Sequence, residues 1–200
     1  MTEARLKHEP MPALVITPSR NSDLPLRLGD FASLTEALDY AALGKTGFNF
    51  YSGRGALECV LPYAELRRQA RETARKLLTL GLSRGERLAI VAETGPEFMV
   101  TFFACQYAGL IPCPMPYSMH IGGRDAYVDR VAGMLRAGRA SMVVASDDLL
   151  GNMKEAAAKV GLSRVLTHAE VQALPEAAVV LTPFAPHEDA YVQYSSGSTS

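Results

Sequence analysis

The chain has 200 residues, of which 48% are hydrophobic and 20% are charged, as is typical of globular proteins. This balance excludes a disordered chain. Twenty basic residues against 21 acidic residues give a net charge of −1, which disfavours a nucleic-acid binder that works through phosphate contacts. We therefore predict about one globular domain, without nucleic acid as a partner.

The cysteine pattern indicates neither a disulfide nor a metal site. Cys59, Cys105 and Cys113 form no CxxC pair, and the four histidines are scattered. Reduced cysteines predict a cytoplasmic protein. The uncharged run from Phe98 to Met115 approaches the length of a membrane span, but Gly109 and prolines interrupt it. We expect a buried helix and a buried strand here, and no membrane-spanning segment.

The N-terminal quarter of the chain predicts an extension, a helix and a hairpin. Residues 1–30 show no sustained hydrophobic period, so we predict an N-terminal extension there and the α/β domain over residues 31–200. A helical period runs from Phe31 to Leu43. Two short strands follow at 48–51 and 56–61, and the turn sequence SGRG between them favours a hairpin.

The remainder alternates between helices and strands joined by short polar turns. A basic helix over residues 63–81 opens this region, and Glu65 and Glu72 dilute its positive charge, which indicates a solvated face. Strands are predicted at 88–92, 110–114, 141–146, 164–167 and 190–194, and helices at 96–109, 123–138, 147–161 and 168–175. This alternation predicts an α/β fold in which an open, mostly parallel sheet carries helices on both faces.

A cluster of hydroxyl-bearing residues follows the last predicted strand. It consists of Ser195, Ser196, Gly197, Ser198, Thr199 and Ser200. Hydroxyls, backbone amides and a glycine that permits close approach can bind phosphate oxygens. Ligands of open α/β sheets bind beyond the carboxyl ends of the strands, where we expect this cluster to lie. On composition alone, a polar loop without a ligand is the alternative.

Three sequence blocks, taken in order and with their spacing, resemble the adenylate-forming enzymes. The blocks are YAELRRQARETARKLLTLGLSRGERLAI, FFACQYAGLIPCPM and YVQYSSGSTS. The last is similar to the start of that family's phosphate-binding loop, with Ser200 where the family usually has glycine. Within the family, FFACQYAGLIPCPMPYSM and GGRDAYVDRVAGMLRAGRASMVVASDDLL are most similar to the fatty acyl-AMP ligases.

The resemblance implies ATP-dependent activation of a fatty or related carboxylic acid to an acyl adenylate, with release of pyrophosphate. It also implies Mg²⁺ as a cofactor and transfer of the acyl group to the thiol of an acyl-carrier protein. Residues 195–200 would bind the β- and γ-phosphates of ATP. A fatty acyl-CoA ligase, with CoA as acceptor, is the alternative, and a non-catalytic binding domain of the same fold is the third possibility.

The same resemblance implies that this chain is the N-terminal part of a longer one. In the family, the residues that bind adenine, ribose and Mg²⁺, and a late catalytic lysine, all follow the phosphate-binding loop. None of those blocks occurs among the 200 residues, so the catalytic residues are expected after Ser200. We therefore expect these 200 residues alone to be inactive.

Overall fold

The computed structural model describes residues 23–117 and 123–194. Over these residues the chain forms an antiparallel hairpin and a four-stranded sheet, with helices packed against both. The helices are α1 (Leu34–Ala41), α2 (Tyr63–Leu78), α3 (Pro96–Ala108), α4 (Gly123–Gly138), α5 (Asp147–Ala158) and α6 (His168–Gln172). The strands are β1 (Gly47–Tyr51), β2 (Leu57–Pro62), β3 (Arg87–Val91), β4 (Ile111–Met115), β5 (Ala140–Ala145) and β6 (Val165–Thr167).

The four-stranded sheet confirms the predicted open parallel architecture. Its order is β4-β3-β5-β6, and every neighbouring pair is parallel. Helix α3 connects β3 to its neighbour β4 at one edge of the sheet. Helix α4 then leads the chain back past β3 to β5, which is the other neighbour of β3. The connections therefore diverge at the carboxyl ends of β3 and β5, which is the place where open α/β sheets form a crevice.

Alternate side chains of the central strands enter two different cores, so helices cover both faces of the sheet. Leu88 and Ile90 of β3 belong to the core that contains α2 and α3 residues, whereas Ala89 and Val91 belong to the core that contains α4 and α5 residues. These four side chains are at most 1% exposed. A strand that is buried on both faces has no solvent-exposed side, so polar and apolar residues do not alternate along it. This explains the continuous apolar run in the sequence.

The predicted hairpin is present and packs beside α2. Strands β1 and β2 pair with Phe48 opposite Leu61 and Phe50 opposite Cys59, and Phe48, Phe50 and Leu61 contact the α2–α3 core. A Cβ atom at Gly47 would overlap the carbonyl oxygen of Leu61, so only glycine fits where the two strands first meet. Strand β2 then leads directly into α2.

The prediction of a strand at residues 190–194 is wrong. This segment has no strand structure, although it runs beside the outer edge of β4. It makes one ladder-like bond there, in which Val192 N–H donates to the carbonyl oxygen of Pro112 at 3.0 Å. The alternating apolar residues of AYVQY are typical of a strand, but the pairing partner decides whether a strand forms.

The prolines of β4 explain why that pairing does not extend. Ile111 donates a backbone hydrogen bond, and Met115 accepts one, on the side that faces β3. The backbone groups of Pro112 and Pro114 therefore face outward, because successive residues of a strand alternate in direction. Proline has no N–H group, so this edge accepts hydrogen bonds at both positions and donates none.

One helix start differs from the prediction, and a second helix start lacks its capping hydrogen bond. Helix α1 begins at Leu34, three residues later than predicted, because the Ser33 hydroxyl accepts a hydrogen bond from Glu36 N and caps the helix there. Ser146 occupies the cap position of α5, but its hydroxyl makes no capping bond. The thiols of Cys59, Cys105 and Cys113 are all free, and those of Cys105 and Cys113 are buried.

Residues 23–30 of the predicted N-terminal extension contact α1. The Arg27 guanidinium lies 3.9 Å from the centre of the Phe31 ring and forms an ion pair with Asp30. The Tyr40 hydroxyl donates to the carbonyl oxygen of Pro25. Across residues 23–117 and 123–194, no helix has both the length and the apolar character that crossing a membrane requires.

Candidate functional site

The predicted phosphate-binding residues lie outside the described part of the chain. They are Ser195, Ser196, Gly197, Ser198, Thr199 and Ser200. Their role therefore stays a prediction, but the structure shows how the chain reaches them. Residues 182–194, which we call the approach segment, carry the chain from the loop after α6 to the start of this cluster.

Arg84 holds the first half of the approach segment. Its guanidinium donates to the carbonyl oxygens of Thr182 at 2.6 Å and Pro183 at 2.9 Å, and to both carboxylate oxygens of Glu188 at 2.8 and 2.6 Å. Hydrogen bonds from Arg84, together with a backbone bond from Ala185 N–H, lower the pKa of Glu188 to about 2. One planar side chain thus fixes three points of the segment.

The second half of the segment crosses the edge of the sheet beside the amino end of β4. The Gln106 side chain, at the end of α3, donates to the carbonyl oxygen of Ala190, and the Tyr191 ring packs on Phe102 of α3 with ring centres 5.9 Å apart. The chain then passes Pro112 and reaches Tyr194, which contacts the core formed with α4 and α5.

Tyr194 is the last described residue before the cluster, and it is tightly held. Its hydroxyl donates to the carbonyl oxygen of Met134 at 2.9 Å, and burial raises its pKa to about 12. A Cβ atom at Gly138, the last residue of α4, would overlap the Tyr194 hydroxyl, so a side chain there would displace the tyrosine. The strand that we predicted directly before the cluster is absent, and the position of residues 195–200 at the carboxyl ends of the strands stays a prediction.

The carboxyl ends of three strands form a different site, which the sequence analysis missed. A cavity of about 530 Å³ opens there, and we call it the carboxyl-end cavity. Its lining residues follow β3, β5 and β6 or belong to the first turns of the helices after them: Glu93, Thr94, Gly95, Pro96, Glu97, Phe98, Ser146, Asp147, His168, Ala169 and Gln172. Its volume and position are those of a small-molecule site.

His168 lies between α6 and α3 in the wall of this cavity. Its Nδ1 atom is 3.1 Å from the Thr101 hydroxyl, and Thr101 is 2% exposed. Burial lowers the pKa of His168, whereas the carboxylates of Glu93, Glu97 and Asp147 act in the opposite direction and do not overcome it. The imidazole is therefore held uncharged near neutral pH, where it can donate at one nitrogen and accept at the other.

Two polar groups of the cavity wall stand out by their hydrogen bonding. The Gln172 side chain donates to the Thr73 hydroxyl at 2.8 Å and accepts from Lys76 Nζ at 2.9 Å, which fixes α6 on α2. The Ser146 hydroxyl, in contrast, is buried without a hydrogen-bond partner in the part of the chain that the structure describes. A buried hydroxyl without a partner costs free energy, so its retention requires an explanation.

The signal for this cavity was present in the sequence but was scattered. Glu93, Asp147 and His168 each come within two residues of the end of a different strand. They meet only because β3, β5 and β6 are neighbours in the sheet, and strand order is not readable from the alternation of helices and strands. Across the described ranges, no group of three or more histidine, cysteine or carboxylate side chains is close enough to hold a metal ion.

Comparison with known proteins places the chain among adenylate-forming enzymes. Residues 51–200 match the AMP-binding enzyme family. A Caulobacter vibrioides protein named "Putative acyl-CoA synthetase" is 43% identical over 187 residues, which are 93% of this chain and 32% of that protein. A solved structure from work on fatty acyl-adenylate ligases of E. coli and L. pneumophila is 42% identical, with a TM-score of 0.82, over 86% of this chain and 31% of that one.

More distant structures share the fold. McyG A-PCP complexed with phenylalanyl-adenylate is 18% identical and superposes with a TM-score of 0.72 over 91% of this chain and 33% of its own. The chain thus spans about a third of the length of these relatives. These matches confirm the predicted family and the predicted α/β fold.

Proposed function

We propose, since the chain belongs to the AMP-binding enzyme family, that it is part of a ligase that activates a fatty or related carboxylic acid. The carboxylate attacks the α-phosphate of ATP, an acyl adenylate forms, and pyrophosphate leaves. A carrier-protein thiol then attacks the acyl carbonyl, a thioester forms, and AMP leaves. The observation that carries this proposal is the 42% identity, at a TM-score of 0.82, to a structure described as a fatty acyl-adenylate ligase.

The chemistry of the 195–200 cluster fits the phosphates of ATP. Its members offer five hydroxyls and a run of backbone N–H groups around one glycine, which are donors to phosphate oxygens. In this proposal the cluster binds the β- and γ-phosphates and so orients the leaving group, while none of its serines acts as a nucleophile. Tyr194 supports that role, because its buried hydrogen bond to Met134 fixes the residue from which the cluster begins.

Magnesium is proposed as the metal cofactor of this reaction. When bound, it would neutralise charge that develops on the phosphate oxygens. The described ranges hold no cluster of three or more metal-ligand side chains, so we propose that its protein ligands come from other parts of the polypeptide.

The acceptor of the acyl group is tested by product analysis. The full-length gene product is incubated with ATP, Mg²⁺ and a series of fatty acids, with and without CoA, and the products are identified by mass spectrometry. Acyl-AMP that persists when CoA is added is the expected result. Formation of acyl-CoA would instead establish the second candidate, which the name of the 43%-identical Caulobacter protein favours. If no adenylate forms with any acid, a non-catalytic domain of the same fold takes its place.

The role of the cluster is tested by removing one hydroxyl. The substitution Ser198→Ala is expected to lower kcat for acyl-adenylate formation by about 10²-fold, the usual effect of losing one donor to a charge that develops in the transition state. Ser163→Ala is the matched control, because Ser163 is an exposed loop residue. Equal activities of the two variants would remove the cluster from the phosphate-binding role.

A further inference from the structure

Gln106 is a polar residue in the core, where it is 2% exposed. Within residues 23–117 and 123–194, it is the only fully buried polar residue that is not a threonine. A carboxamide is costly to bury unless its hydrogen-bonding groups find partners. The Gln106 side chain donates to the carbonyl oxygen of Ala190, a main-chain group of the approach segment. The approach segment therefore supplies the partner that a buried glutamine needs.

The approach segment runs parallel to β4, with Tyr191 beside Pro112. Pro112 is the register partner of Leu88 and therefore points to the same face of the sheet, toward α2 and α3. Tyr191 packs on Phe102 of α3 at that face, whereas Val192 contacts the core on the other face. An antiparallel arrangement with the same hydrogen bond from Val192 N–H to Pro112 would place both side chains on one face.

A parallel ladder at this position needs a donor that proline does not have. In a parallel pair, a residue accepts a bond from the residue after its neighbour and donates one to the residue before that neighbour. Pro112 accepts the first bond from Val192 N–H at 3.0 Å, but it has no N–H group for the second. The second bond would go to the carbonyl oxygen of Ala190, and Gln106 donates to that oxygen. The Gln106 side chain thus takes the place of the missing main-chain donor.

These two bonds fix the chain shortly before the 195–200 cluster. The third fixed point is Tyr194, whose hydroxyl donates to the carbonyl oxygen of Met134. Residues 190, 192 and 194 are therefore held in turn by α3, β4 and α4. Ser195 follows directly, so the register of the approach segment on β4 determines where the cluster begins.

We propose that Gln106 is a positioning residue for ATP. It substitutes for the missing N–H group of Pro112 and so holds the cluster where its donors meet the phosphates. This inference rests on the proposed function, which assigns the phosphates of ATP to the cluster. Gln106 acts only through the main chain of residues 190–194, so its loss should weaken the use of ATP and leave recognition of the acid unchanged.

Hydrogen exchange of the full-length gene product tests the structural part of this proposal. Gln106→Leu removes the donor and keeps a buried side chain of similar size. The amide of Val192 should then exchange about tenfold faster, since one hydrogen bond contributes about that factor. Gln106→Met repeats the change with an unbranched side chain if the leucine variant does not fold. Unchanged exchange at Val192 in a folded variant would overturn the proposal.

Tyr107→Phe is the matched control for loss of a buried hydrogen bond on α3. Tyr107 is 1% exposed, and its hydroxyl donates at 2.6 Å to Asp39 of α1, away from the approach segment. The control should leave exchange at Val192 unchanged relative to the wild type. Equal acceleration in Gln106→Leu and Tyr107→Phe would mean that any disturbance of α3 loosens the segment, which would also overturn the proposal.

Restoring the main-chain donor is the sharpest test. Pro112→Ala gives residue 112 an N–H group that can donate to the carbonyl oxygen of Ala190. In that background, Gln106→Leu should accelerate exchange at Val192 by less than about twofold, because the two donors replace one another. An undiminished effect of Gln106→Leu in the Pro112→Ala background would show that the side chain does not substitute for the missing N–H group.

Kinetics test the link to ATP. Pyrophosphate release is measured while either ATP or the fatty acid is varied. Gln106→Leu should raise KM for ATP by about three- to tenfold, because fewer molecules hold the cluster in place, and should leave KM for the acid unchanged. Tyr107→Phe should change neither value. Equal increases in both KM values of Gln106→Leu would overturn the positioning role.

The two kinds of measurement separate this inference from the proposed function. If the wild type forms no adenylate, the proposed function fails and the role of Gln106 toward ATP fails with it. Exchange at Val192 still decides whether Gln106 substitutes for the N–H group of Pro112. If the wild type is active and Gln106→Leu keeps its KM for ATP, the proposed function stands and the positioning role is wrong.

Discussion

The two ends of the parallel sheet are built on opposite principles. At the amino end, the approach segment is held by Arg84, Gln106 and Pro112, and the Tyr194 hydroxyl has its partner on α4. At the carboxyl end, three carboxylates line an open cavity, and the buried hydroxyl of Ser146 has no hydrogen-bond partner in the described part of the chain. The amino end thus pairs its polar groups within the protein, whereas the carboxyl end carries charged groups along a cavity.

This difference separates stability from binding within one sheet. Polar groups that are already bonded inside the protein hold the chain in place, whereas polar groups that line a cavity without partners leave binding capacity at a cost in stability. Substitutions at the amino end should therefore destabilise the fold or loosen the approach segment. Substitutions at the carboxyl end should have small effects on stability and larger effects on pH dependence and ligand binding.

The largest effect is expected at Gly138. A Cβ atom there overlaps the Tyr194 hydroxyl, so Gly138→Ala should displace the tyrosine and lower the free energy of unfolding by about 1–3 kcal/mol. Urea unfolding measures this change. Gly133→Ala on the same helix is the control, because a Cβ at Gly133 meets nothing within 4 Å and should stabilise the helix by about 0.5–1 kcal/mol. Similar changes in both variants would contradict the tight packing of Tyr194.

A smaller effect of opposite sign is expected at Arg139, between α4 and β5. Its φ angle of 49° is left-handed, which costs a residue with a side chain about 1 kcal/mol relative to glycine. Arg139→Gly should therefore raise the free energy of unfolding by about 1 kcal/mol. Arg136→Gly, inside α4, should lower it by a similar amount because glycine weakens a helix interior. If the free energy of unfolding of Arg139→Gly is not higher than that of the wild type, the left-handed conformation of Arg139 is not strained.

At the carboxyl end, His168 should make stability depend on pH. Its folded-state pKa lies below the unfolded value of 6.5, so the unfolded chain binds more protons as the pH falls through that range. The stability present above pH 6.5 is thus lost toward lower pH, by at most about 1.4 kcal/mol per pH unit for one proton. His168→Gln should reduce the change of the urea-unfolding midpoint between pH 7 and pH 5. The substitution His187→Gln, at an exposed histidine, should not. An unchanged slope in His168→Gln would count against the burial of this imidazole.

The most local effect is expected at Arg84. Arg84→Met removes every side-chain hydrogen bond that this residue makes to the approach segment, so amides of residues 185–194 should exchange with deuterium faster while global stability changes little. In the wild type, the amides of residues 185–194 should be fully protected against exchange above pH 4.5, the unfolded pKa of Glu188. This protection should fall as the pH approaches about 2, the folded pKa. Arg54→Met, at an exposed turn, is the control. If residues 185–194 exchange at the same rates in Arg84→Met as in Arg54→Met, Arg84 does not hold the segment.

Most of the fold was predictable because its signals are local. The apolar run at β3 and the helical periods around it predicted a parallel α/β sheet, and the structure places Leu88 and Ala89 in cores on opposite faces. Residues 190–194 show where local signals fail. Their alternation is that of a strand, but the neighbouring edge at Pro112 and Pro114 lacks donors, and pairing is a property of two segments.

The candidate sites were predictable to different degrees. The 195–200 cluster is contiguous, so the sequence alone made it visible, and its role stays a prediction because those residues are not described. The carboxyl-end cavity joins Glu93, Asp147 and His168, which are far apart in the chain. Only the strand order brings them together, and tertiary arrangement of this kind leaves no local mark in the sequence.

The accept-only edge of β4 has a further consequence for the behaviour of the protein in a crowded solution. An open sheet edge is a template on which a strand from another molecule can add, and such addition begins edge-to-edge aggregation. Pro112 and Pro114 remove both outward donors of β4, and at the opposite edge β6 is only three residues long. Within residues 23–117 and 123–194, a foreign strand therefore finds no outward N–H donors along Pro112 and Pro114 and only a three-residue template at β6.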